Sequence, residues 1–424
     1  MSRIIKSTIR IVLAFIVLFG CYKLIRASAL FGLSRLAVTL AIIQKQNIEP
    51  ADAAIRLAPE DPNAHYTRAL ILVNLERLSE AVTELEQAIQ LRPNHYYQWL
   101  DLGVTLDRLG DQARAEAALR ESIRLAPSFA QPHWQLGNLL FRKTAYEEAF
   151  SEMRFAAASN PDLAAQIVEL AWVAADGDVA KAEHYVQPQT RRAHLQMAAL
   201  LAKEGKASEA GSHLTKVSEP YDETERSLLN QTVGQLIADQ QFAEAFIIWS
   251  SAHHVTVAEN ARDQFLNPDF VDPVKQGDLG FGWQLTAVPN ISVSVNMEGP
   301  APGTRSLCLS FSGDSPRESE SLYQLVLLNP GKRYLLTFMA RAKDIVSGGP
   351  PVVVVTTLGG SAAKDVGESK VLSAQPGWNT YEVEFQADEK TSTARVGVQR
   401  LPCNQTPCPI FGQLCLSRFS LKQR

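Results

Sequence analysis

Four prolines recur in the first half of the chain at one fixed spacing. Pro59, Pro93, Pro127 and Pro161 each stand 34 residues after the one before. A period of about 20 to 50 residues marks repeat proteins, in which each unit buries its apolar face against its neighbours. The spacing therefore predicts a stack of similar units with an extended surface, an architecture suited to holding other molecules.

Apolar side chains follow the same period. Small residues let two helices approach closely, and large ones fill the space between them. A proline cannot continue a helix interior, so each one lies where a helical pair ends. The small positions are Ala54, Ala81, Ala88, Ala115, Ser122, Ala149 and Ala156, and the large ones are Leu72, Leu85, Leu106, Leu119, Leu140 and Met153. The pattern predicts one pair of packed helices per period.

This arrangement resembles the tetratricopeptide repeat, a helix–turn–helix unit of the same length. The unit that matches best carries Trp99, Leu102-Gly103, Leu106, Ala115, Leu119, Ser122 and Pro127. The resemblance is strong over residues 62–163 and weaker on both sides. It implies an all-α solenoid over residues 28–260, built from roughly six helical pairs.

In this family the first helix of each repeat lines a concave face that holds a protein or peptide partner. Carried onto this sequence, the lining positions are Tyr66, Leu70, Val73, Asn74, Leu100, Val104, Asp107, Arg108, Trp134, Asn138, Phe141 and Arg142. The resemblance implies a largely apolar groove whose two arginines suit a carboxylate. An alternative is that Tyr66 and Trp134 simply pack between neighbouring repeats, because aromatic rings also supply core area.

The amino terminus carries an apolar run bounded by basic residues. Residues 11–22 are apolar, and Arg10 and Lys23 flank them. Extended over residues 4–25, the segment reaches the length of about 20 residues that a membrane span needs. We favour a signal-anchor over residues 1–27, in a single pass through a bacterial inner membrane.

Two other interpretations of this segment remain open. Leu18-Phe19-Gly20-Cys21 resembles the lipobox of a lipoprotein, and Ala27-Ser28-Ala29 resembles a signal-peptidase site. All three interpretations place the rest of the chain in the periplasm or at the cell exterior.

Cysteine usage supports export. Cys21 lies in the apolar segment, whereas Cys308, Cys403, Cys408 and Cys415 all lie in the last third. Clustered cysteines behind an export-like segment predict disulfides, and we favour Cys403 with Cys408 and Cys308 with Cys415. The alternative is reduced cysteine packed as a small apolar residue. No CxxC pair is present, so the spacing does not indicate a metal site.

The pattern changes near residue 260, where helical spacing gives way to alternation, glycine and proline. Short alternating segments separated by turn signals predict a β-sandwich. The segments are residues 291–296, 306–312, 321–328, 334–342, 352–357, 379–386, 393–399 and 412–421.

A second resemblance covers this part of the chain. Asn267-Pro-Asp-Phe270, Phe281-Gly-Trp283 and Gly377-Trp378 stand in the order found in carbohydrate-binding modules with a galactose-binding-like jelly roll. The resemblance implies such a jelly roll over residues 265–424. In that family acidic residues help to bind calcium, but Val271 and Ser417 occupy those positions here, so we expect no metal.

A sugar site would need an aromatic platform with polar groups beside it. The candidates are Trp283, Tyr323 and Trp378, although Trp283 and Trp378 match positions that are usually structural in that family. Possible polysaccharide binding is therefore kept beside a structural or protein-contact role, since this fold hosts many functions.

Composition and motifs exclude several functions. The net charge is −4 and basic residues form no stripe, so nucleic acid is not an expected partner. No nucleophile elbow, phosphate loop or zinc-protease motif appears, and we expect no catalytic residues and no cofactor.

We therefore predict a multidomain α plus β protein with an amino-terminal membrane segment, an all-α solenoid and an all-β jelly roll. The predicted function is a non-catalytic, membrane-anchored scaffold that binds a protein partner, in bacterial envelope or exopolysaccharide assembly. The alternative is a carbohydrate-binding protein whose solenoid recruits an enzyme.

Overall fold

Helices fill the first part of the chain and strands the last part. A computed structural model describes residues 2–44, 47–255, 262–274, 279–315, 320–359, 363–403 and 407–424, with side chains from Leu13 onward. The described chain divides into two units, Met1–Gln187 and Pro188–Arg424. The predicted α plus β architecture is confirmed, whereas the predicted junction near residue 260 lies outside the described residues.

The first unit is helical throughout its described length. Its helices are α1 (Ser2–Ile43), α2 (Glu49–Leu57), α3 (Pro62–Asn74), α4 (Leu78–Leu91), α5 (Tyr96–Leu109), α6 (Gln112–Leu125), α7 (Ala130–Arg142), α8 (Tyr146–Ser159), α9 (Ala164–Ala174) and α10 (Val179–Val186). The pairs α3–α4, α5–α6 and α7–α8 are the three repeats that the prolines delimit.

Small residues set the distance between the two helices of a repeat. A Cβ atom on Gly103 would lie 2.6 Å from Cγ of Leu119, and one on Gly137 would lie 2.7 Å from Cγ of Met153. Both distances are too short for a real contact, so glycine lets α5 approach α6 and α7 approach α8 closely. Leu119 and Met153 are fully buried in these contacts, as the periodic pattern predicts.

The prolines also take part in a repeated hydrogen bond. The backbone carbonyls of Pro59, Pro93 and Pro127 each face the ring of the residue six positions later. Trp99 donates its Nε1–H to Pro93 at 2.7 Å. Nε2 of His65 and of His133 lies 2.9 Å from the corresponding carbonyl oxygen. This bond ties the start of each repeat to the first turn of its first helix.

Helix α1 is longer than the sequence indicates. The prediction ended the membrane segment at residue 27 and began a separate helix at Ser28, but a single helix runs from Ser2 to Ile43. Its last turns belong to the solenoid: Ser34 donates its hydroxyl to the carbonyl of Ala54 at 3.0 Å. Ala37 and Val38 are buried against α2 and α3. The apolar segment and the first repeat therefore share one continuous helix.

The second unit begins with four helices: α11 (Arg191–Lys203), α12 (Ala207–Leu214), α13 (Glu223–Ala238) and α14 (Phe242–Ala252). Trp249 of α14 is buried and packs against Phe281, with ring centroids 6.2 Å apart. Gly280, at φ 150°, lies against the same indole ring, where a Cβ atom would have no room. In this unit α14 therefore packs on the segment that leads into the first strand.

The described residues after α14 form ten strands, arranged in two antiparallel sheets. They are β1 (Gln284–Leu285), β2 (Ile291–Asn296), β3 (Ser306–Asp314), β4 (Leu322–Leu327), β5 (Arg333–Ser347), β6 (Pro351–Leu358), β7 (Lys364–Glu368), β8 (Asn379–Gln386), β9 (Thr393–Arg400) and β10 (Pro409–Gln423). The strand orders are β1-β4-β9-β6-β7 and β2-β3-β10-β5-β8. All eight predicted strand segments lie within or largely overlap described strands.

One apolar core lies between the two sheets. Val353, Val355 and Val396 contribute from the first sheet, and Phe338 and Leu416 contribute from the second. Cys308 and Cys415 face each other across β3 and β10 and lie at disulfide distance, with an S–S separation of 2.03 Å. Cys403 and Cys408 also lie at disulfide distance. Both pairs are those the sequence favours.

Candidate partner-binding surface of the solenoid

The first helices of the three repeats present a row of half-exposed apolar side chains. We call this surface the A-helix face and define it by Tyr66 and Leu70 on α3, Val104 on α5, and Trp134 and Phe141 on α7. Leu70 is 38% exposed and the other four are half-buried. Residues four apart share one side of a helix, so each helix presents its members in the same direction.

Tyr66 is held in place by a hydrogen bond to the next repeat. Its hydroxyl donates to Oδ2 of Asp101 at 2.5 Å. Burial, this hydrogen bond and the neighbouring Tyr97 raise the pKa of Tyr66 above its usual range. Burial also raises the pKa of the Asp101 carboxyl, which the Tyr66 hydroxyl partly offsets. The aromatic ring is thus fixed before any partner arrives.

The two arginines that the sequence assigns to the groove are paired with acidic residues of the preceding repeat. Arg108 lies 2.8 Å from Glu76, whose side chain is 73% exposed. Arg142 pairs with Asp107. Exposed ion pairs such as that of Arg108 with Glu76 contribute only about 0 to 1 kcal/mol to stability, whereas the side chain of Asp107 is half-buried.

The remaining predicted groove residues differ in how accessible they are. Leu100 is only 4% exposed and packs in the core of the repeats, so it has almost no surface to offer a partner. Asn74 is exposed at the end of α3. Asn138 is half-buried and donates to the backbone carbonyl of Trp134 at 2.9 Å. Leu100 lies on the same side of α5 as Val104, one helical turn earlier, but its side chain belongs to the apolar core of the repeats.

Sequence reasoning missed a group of aromatic residues near this face. Tyr96 stacks on Tyr97 with ring centroids 4.1 Å apart, and Phe129 lies 4.9 Å from Tyr96. Tyr97 is 48% exposed and Phe129 is 50% exposed. The adjacent tyrosines could have indicated this group from the sequence. Tyr97 stands two residues before the apolar periodicity of α5 begins, so the repeat pattern does not place its side chain in the core.

The three aromatic candidates for a sugar site differ in exposure and in the sheet to which they belong. Trp283 is 4% exposed and donates its indole N–H to the carbonyl of Asn267 at 3.1 Å, so its ring offers little free surface. Trp378 precedes β8 and lies under the guanidinium of Arg341, 5.1 Å from the ring centroid. Tyr323 lies on β4, in the other sheet. The three do not form one platform.

Polar side chains do surround Tyr323. The guanidinium of Arg395 lies 5.9 Å from the ring centroid. Glu320 accepts from Nε2 of Gln399 at 2.7 Å and lies 2.9 Å from Nε of Arg395. Burial raises the pKa of the Tyr323 hydroxyl. These residues bring a carboxylate, a guanidinium and an amide to one side of a half-buried ring. Among the described residues, no three His, Cys, Asp or Glu side chains are grouped to hold a metal ion.

Comparison with known proteins identifies the repeats. Residues 62–95 match one tetratricopeptide repeat model, and residues 99–129 match another. These segments are tetratricopeptide repeats. Protein FlbA of Caulobacter vibrioides is 37% identical over 82 residues, which are 19% of this chain and 14% of FlbA. The chain therefore matches only a small part of that relative's length.

Solved structures that resemble part of this chain include pilF and PilW. Pseudomonas aeruginosa pilF has 17% identity and a TM-score of 0.34, covering 44% of this chain and 91% of its own. PilW, described as a type IV pilus biogenesis factor, has 18% identity and a TM-score of 0.32, covering 46% and 98%.

A Clostridium thermocellum xylanase fragment that contains the module CBM22-1 has 11% identity and a TM-score of 0.25, covering 34% of this chain and 26% of its own. Structural similarities with such low sequence identities and TM-scores assign no function to the chain.

Proposed function

We propose that this protein is a non-catalytic scaffold that α1 anchors in a membrane and whose tetratricopeptide repeats hold a protein partner. The row of half-exposed apolar side chains on the A-helix face, continued over three repeats, is the observation that supports this proposal. Tetratricopeptide repeats in general bind proteins or peptides, and apolar anchors of this kind supply most of the binding energy at such surfaces.

The spacing of the anchors favours a peptide segment over a flat protein surface. Packed helices lie about 8–10 Å apart. Tyr66 and Trp134 occupy the same repeat position, and Val104 lies one helical turn further along its own helix. Every third residue of an extended chain spans about 10 Å, which is close to the spacing of packed helices. A segment that carries apolar residues at this interval would contact one anchor per repeat. Arg108 and Arg142 stand at the ends of α5 and α7, where they can pair with acidic residues that flank those anchors.

The amino-terminal helix supports membrane attachment. Residues Leu13–Ile43 are long and apolar enough to cross a bilayer, with a mean hydropathy of 1.7 in the richest window, and none of that window is buried. Attachment by residues 4–25 with export of the remainder agrees with cysteine pairs at disulfide distance, since disulfides persist in oxidising compartments. A role in bacterial envelope or exopolysaccharide assembly follows from this combination of domains.

Affinity capture tests the proposal. The full-length chain in detergent is used as bait with solubilised membranes, beside a variant that carries Tyr66→Ala, Trp134→Ala, Arg108→Ala and Arg142→Ala. We expect recovery of the partner to fall at least about tenfold, because truncation of central aromatic and arginine residues commonly costs 2 kcal/mol or more. Full recovery by this variant would refute the role of the A-helix face.

A control removes apolar side chains on other helices that are more exposed than Tyr66 and Trp134. Phe155 is 59% exposed on α8 and Val173 is 70% exposed on α9. The double variant Phe155→Ala, Val173→Ala should capture the partner as the wild type does. An equal loss in this control would mean that exposed apolar area, and not the A-helix face, accounts for the capture.

The group around Tyr323 favours a second candidate function, the binding of a polysaccharide by the β domain. A ring face beside a carboxylate, a guanidinium and an amide matches the hydroxyl groups and apolar faces of a sugar. Retardation of the full chain in polysaccharide-containing gels tests it. Tyr323→Ala should abolish retardation and Trp378→Ala should not, whereas unchanged mobility of the wild type in every polysaccharide tried would remove this candidate.

A further inference from the structure

A buried arginine lies against one sulfur of the Cys403–Cys408 pair. Arg400, the last residue of β9, is only 8% exposed. Its Nη2 lies 3.2 Å from Sγ of Cys408 and donates to the backbone carbonyl of the same residue at 2.7 Å. A guanidinium beside a cysteine sulfur stabilises the thiolate form of that cysteine. The fold therefore holds a positive charge where a thiolate would form if the pair opened.

Other parts of the sandwich fix Arg400 in this position. Nε donates to the carbonyl of Gly349 at 3.0 Å, and Nη1 donates to the carbonyl of Ser315 at 2.8 Å. Nη2 also donates to the hydroxyl of Ser347 at 3.0 Å. Ser315 follows β3, and the other two partners lie at the turn from β5 to β6. Because these contacts do not involve the cysteines, they hold the guanidinium in place whether or not the pair is bonded.

The two sulfurs of the pair differ in access and in electrostatic environment. Cys403 is half-buried, whereas Cys408 is 7% exposed. Asp314 accepts from the backbone N–H of Cys408 at 3.2 Å, but it is exposed, so solvent screens its charge. In thiol–disulfide exchange a thiolate attacks one sulfur and the other sulfur leaves as a thiolate. Cys403 is thus the sulfur that can be reached, and Cys408, beside Arg400, is the better leaving group.

Two glycines bring the neighbouring turn against the pair without side chains. A Cβ atom on Gly348 would lie 2.7 Å from Sγ of Cys403, which is too short for a real contact. One on Gly349 would lie 3.4 Å from Sγ of Cys408 and 2.5 Å from the carbonyl oxygen of Leu401. A larger residue at position 348 would crowd Cys403, so glycine leaves space at the sulfur that a thiolate has to reach.

The Cys308–Cys415 pair offers a contrast within the same domain. Each of these cysteines is 1% exposed, and the two face each other across β3 and β10 inside a sheet. Neither sulfur is open to an attacking thiolate while the sandwich is folded. This pair therefore serves as an internal control for every measurement on Cys403 and Cys408.

We propose that the Cys403–Cys408 disulfide is an exchange site for a cysteine thiolate of another molecule. The incoming thiolate bonds to Sγ of Cys403, the Cys403–Cys408 bond breaks, and its electron pair leaves on Sγ of Cys408 beside Arg400. A second thiolate of the same donor then attacks the donor sulfur of the mixed disulfide and releases Cys403, which takes a proton from water. The two thiols of the donor are thereby oxidised to a disulfide, and the pair in this chain is reduced by two electrons.

The sandwich can remain folded through this exchange. Cys403 and Cys408 are five residues apart, so reduction opens only a short loop. Arg400 ends β9, and Pro409 begins β10, so paired strands hold both sides of that loop. All of these residues lie in the β domain, so the exchange depends neither on the membrane anchor nor on the A-helix face.

Graded reduction of the full-length chain in detergent tests the site. A Cys21→Ser background removes the free cysteine of the apolar segment. The protein is equilibrated in glutathione buffers, free thiols are blocked with iodoacetamide, and mass spectrometry measures the reduced fraction of each pair. We expect Cys403–Cys408 to be half reduced at a ratio of [GSH]² to [GSSG] at least about tenfold lower than Cys308–Cys415. Simultaneous or later reduction of Cys403–Cys408 would overturn the proposal.

The position of attack is a second measurement, and it needs no variant of the site. Brief exposure to glutathione followed by rapid alkylation traps the mixed disulfide. We expect glutathione on Cys403 with an alkylated Cys408, at least about tenfold above the reverse product. Equal amounts of the two products, or an excess on Cys408, would contradict the assigned roles.

Variants of Arg400 test its part in the exchange. Arg400→Gln should slow reduction by glutathione at least about tenfold, as loss of a hydrogen bond to a charged group predicts, and Arg400→Lys should slow it less. Continued resistance of Cys308–Cys415 to reduction shows that each variant is folded. An unchanged rate in folded Arg400→Gln would refute the role of the guanidinium. If Arg400→Gln does not fold, the position of attack in the wild-type site decides.

Two donors distinguish the source of the thiol. Glutathione represents a small thiol, and a reduced peptide with two cysteines represents a protein. A rate at least about tenfold higher with the peptide supports exchange with a protein, and the reverse order supports exchange with a small thiol. Reaction of Cys403–Cys408 with both donors no faster than that of Cys308–Cys415 would overturn the exchange site.

Discussion

At the scale of single residues, His65 links the start of a repeat to both of its helices. Nδ1 lies 2.6 Å from the carboxylate of Glu84, and Nε2 lies 2.9 Å from the carbonyl of Pro59. Both oxygens are acceptors, so the ring donates at both nitrogens only when it is protonated. The hydrogen bond to Glu84 raises the pKa of His65, against the opposing effect of burial. The raised pKa and the two acceptor oxygens both favour the protonated ring.

The free energy of unfolding should depend on pH through the hydrogen-bonded pair of His65 and Glu84. Because the folded pKa of His65 is raised above 6.5, its contribution is complete below about pH 6.5 and is lost as pH rises through the folded value. Glu84→Gln should remove this dependence and lower the stability at pH 6 by roughly 1–3 kcal/mol. Urea unfolding followed by helical ellipticity from about pH 5 to pH 9 measures it.

Glu80→Gln is the matched control, on the same helix. The hydrogen bond from Arg77 lowers the pKa of Glu80, so its effect on stability lies at acid pH. This variant should keep the decline above pH 6.5 that the wild type shows. A wild type whose stability is flat from pH 6 to 9 would contradict the charged state of His65.

At the scale of elements, the sequence predicts those that have an apolar face and misses those that do not. The short edge strands β1 and β7 were not predicted. Residues 364–368 of β7 are half-exposed or exposed, so neither side of this strand is buried. Its sequence therefore lacks the alternation of apolar and polar residues that predicts a strand. By contrast β2 and β8 were predicted to the residue, because each is bounded by turn residues.

The length of α1 and the pairing of the arginines show a second limit. Lys23 and Arg26 end the apolar run, but neither ends a helix, and residues 23–31 contain no glycine or proline to do so. The partner of Arg108 is Glu76 and that of Arg142 is Asp107, at separations of 32 and 35 residues. Which acidic residue pairs with each arginine depends on how one repeat stacks on the next. The local sequence pattern does not determine that stacking.

The two cysteine pairs should differ in their effect on the β domain. Cys308 and Cys415 are 107 residues apart, whereas Cys403 and Cys408 are only five apart. By loop-closure entropy the first pair contributes about 4–5 kcal/mol and the second about 2 kcal/mol. Hydrogen exchange of peptides from β3 and β10 should therefore rise far more in Cys308→Ala with Cys415→Ala than in Cys403→Ala with Cys408→Ala. Equal exchange in the two double variants would contradict this ranking.

At the scale of the whole molecule, the unbroken α1 gives the proposed anchor and the first repeat a single rigid connection. Each unit has its own core, and the proposed activities use different surfaces: the A-helix face for a partner and the group around Tyr323 for a sugar. These surfaces share no residue, so variants can separate them.

A break in α1 should loosen the connection between the proposed anchor and the first repeat. Ala29→Pro removes one helical hydrogen bond between the span and the first repeat and costs about 3 kcal/mol of local helix stability. We expect hydrogen exchange of peptides from residues 25–43 to rise several-fold while capture of the partner by the A-helix face is unchanged. Ala29→Leu, which preserves the helix, is the control. Loss of partner capture in Ala29→Pro alone would show that the groove depends on the anchor.

The bond between each proline carbonyl and the ring six residues later also bears on how such a chain can change in length. Three consecutive repeats contain this hydrogen bond at equivalent positions. The helices of these repeats have nearly equal lengths. A recombination event that adds or removes 34 codons would bring together ends that already match. A gene of this kind can therefore lengthen or shorten the A-helix face in whole repeats, whereas an insertion of another length inside a helix would shift the packing of that helix pair.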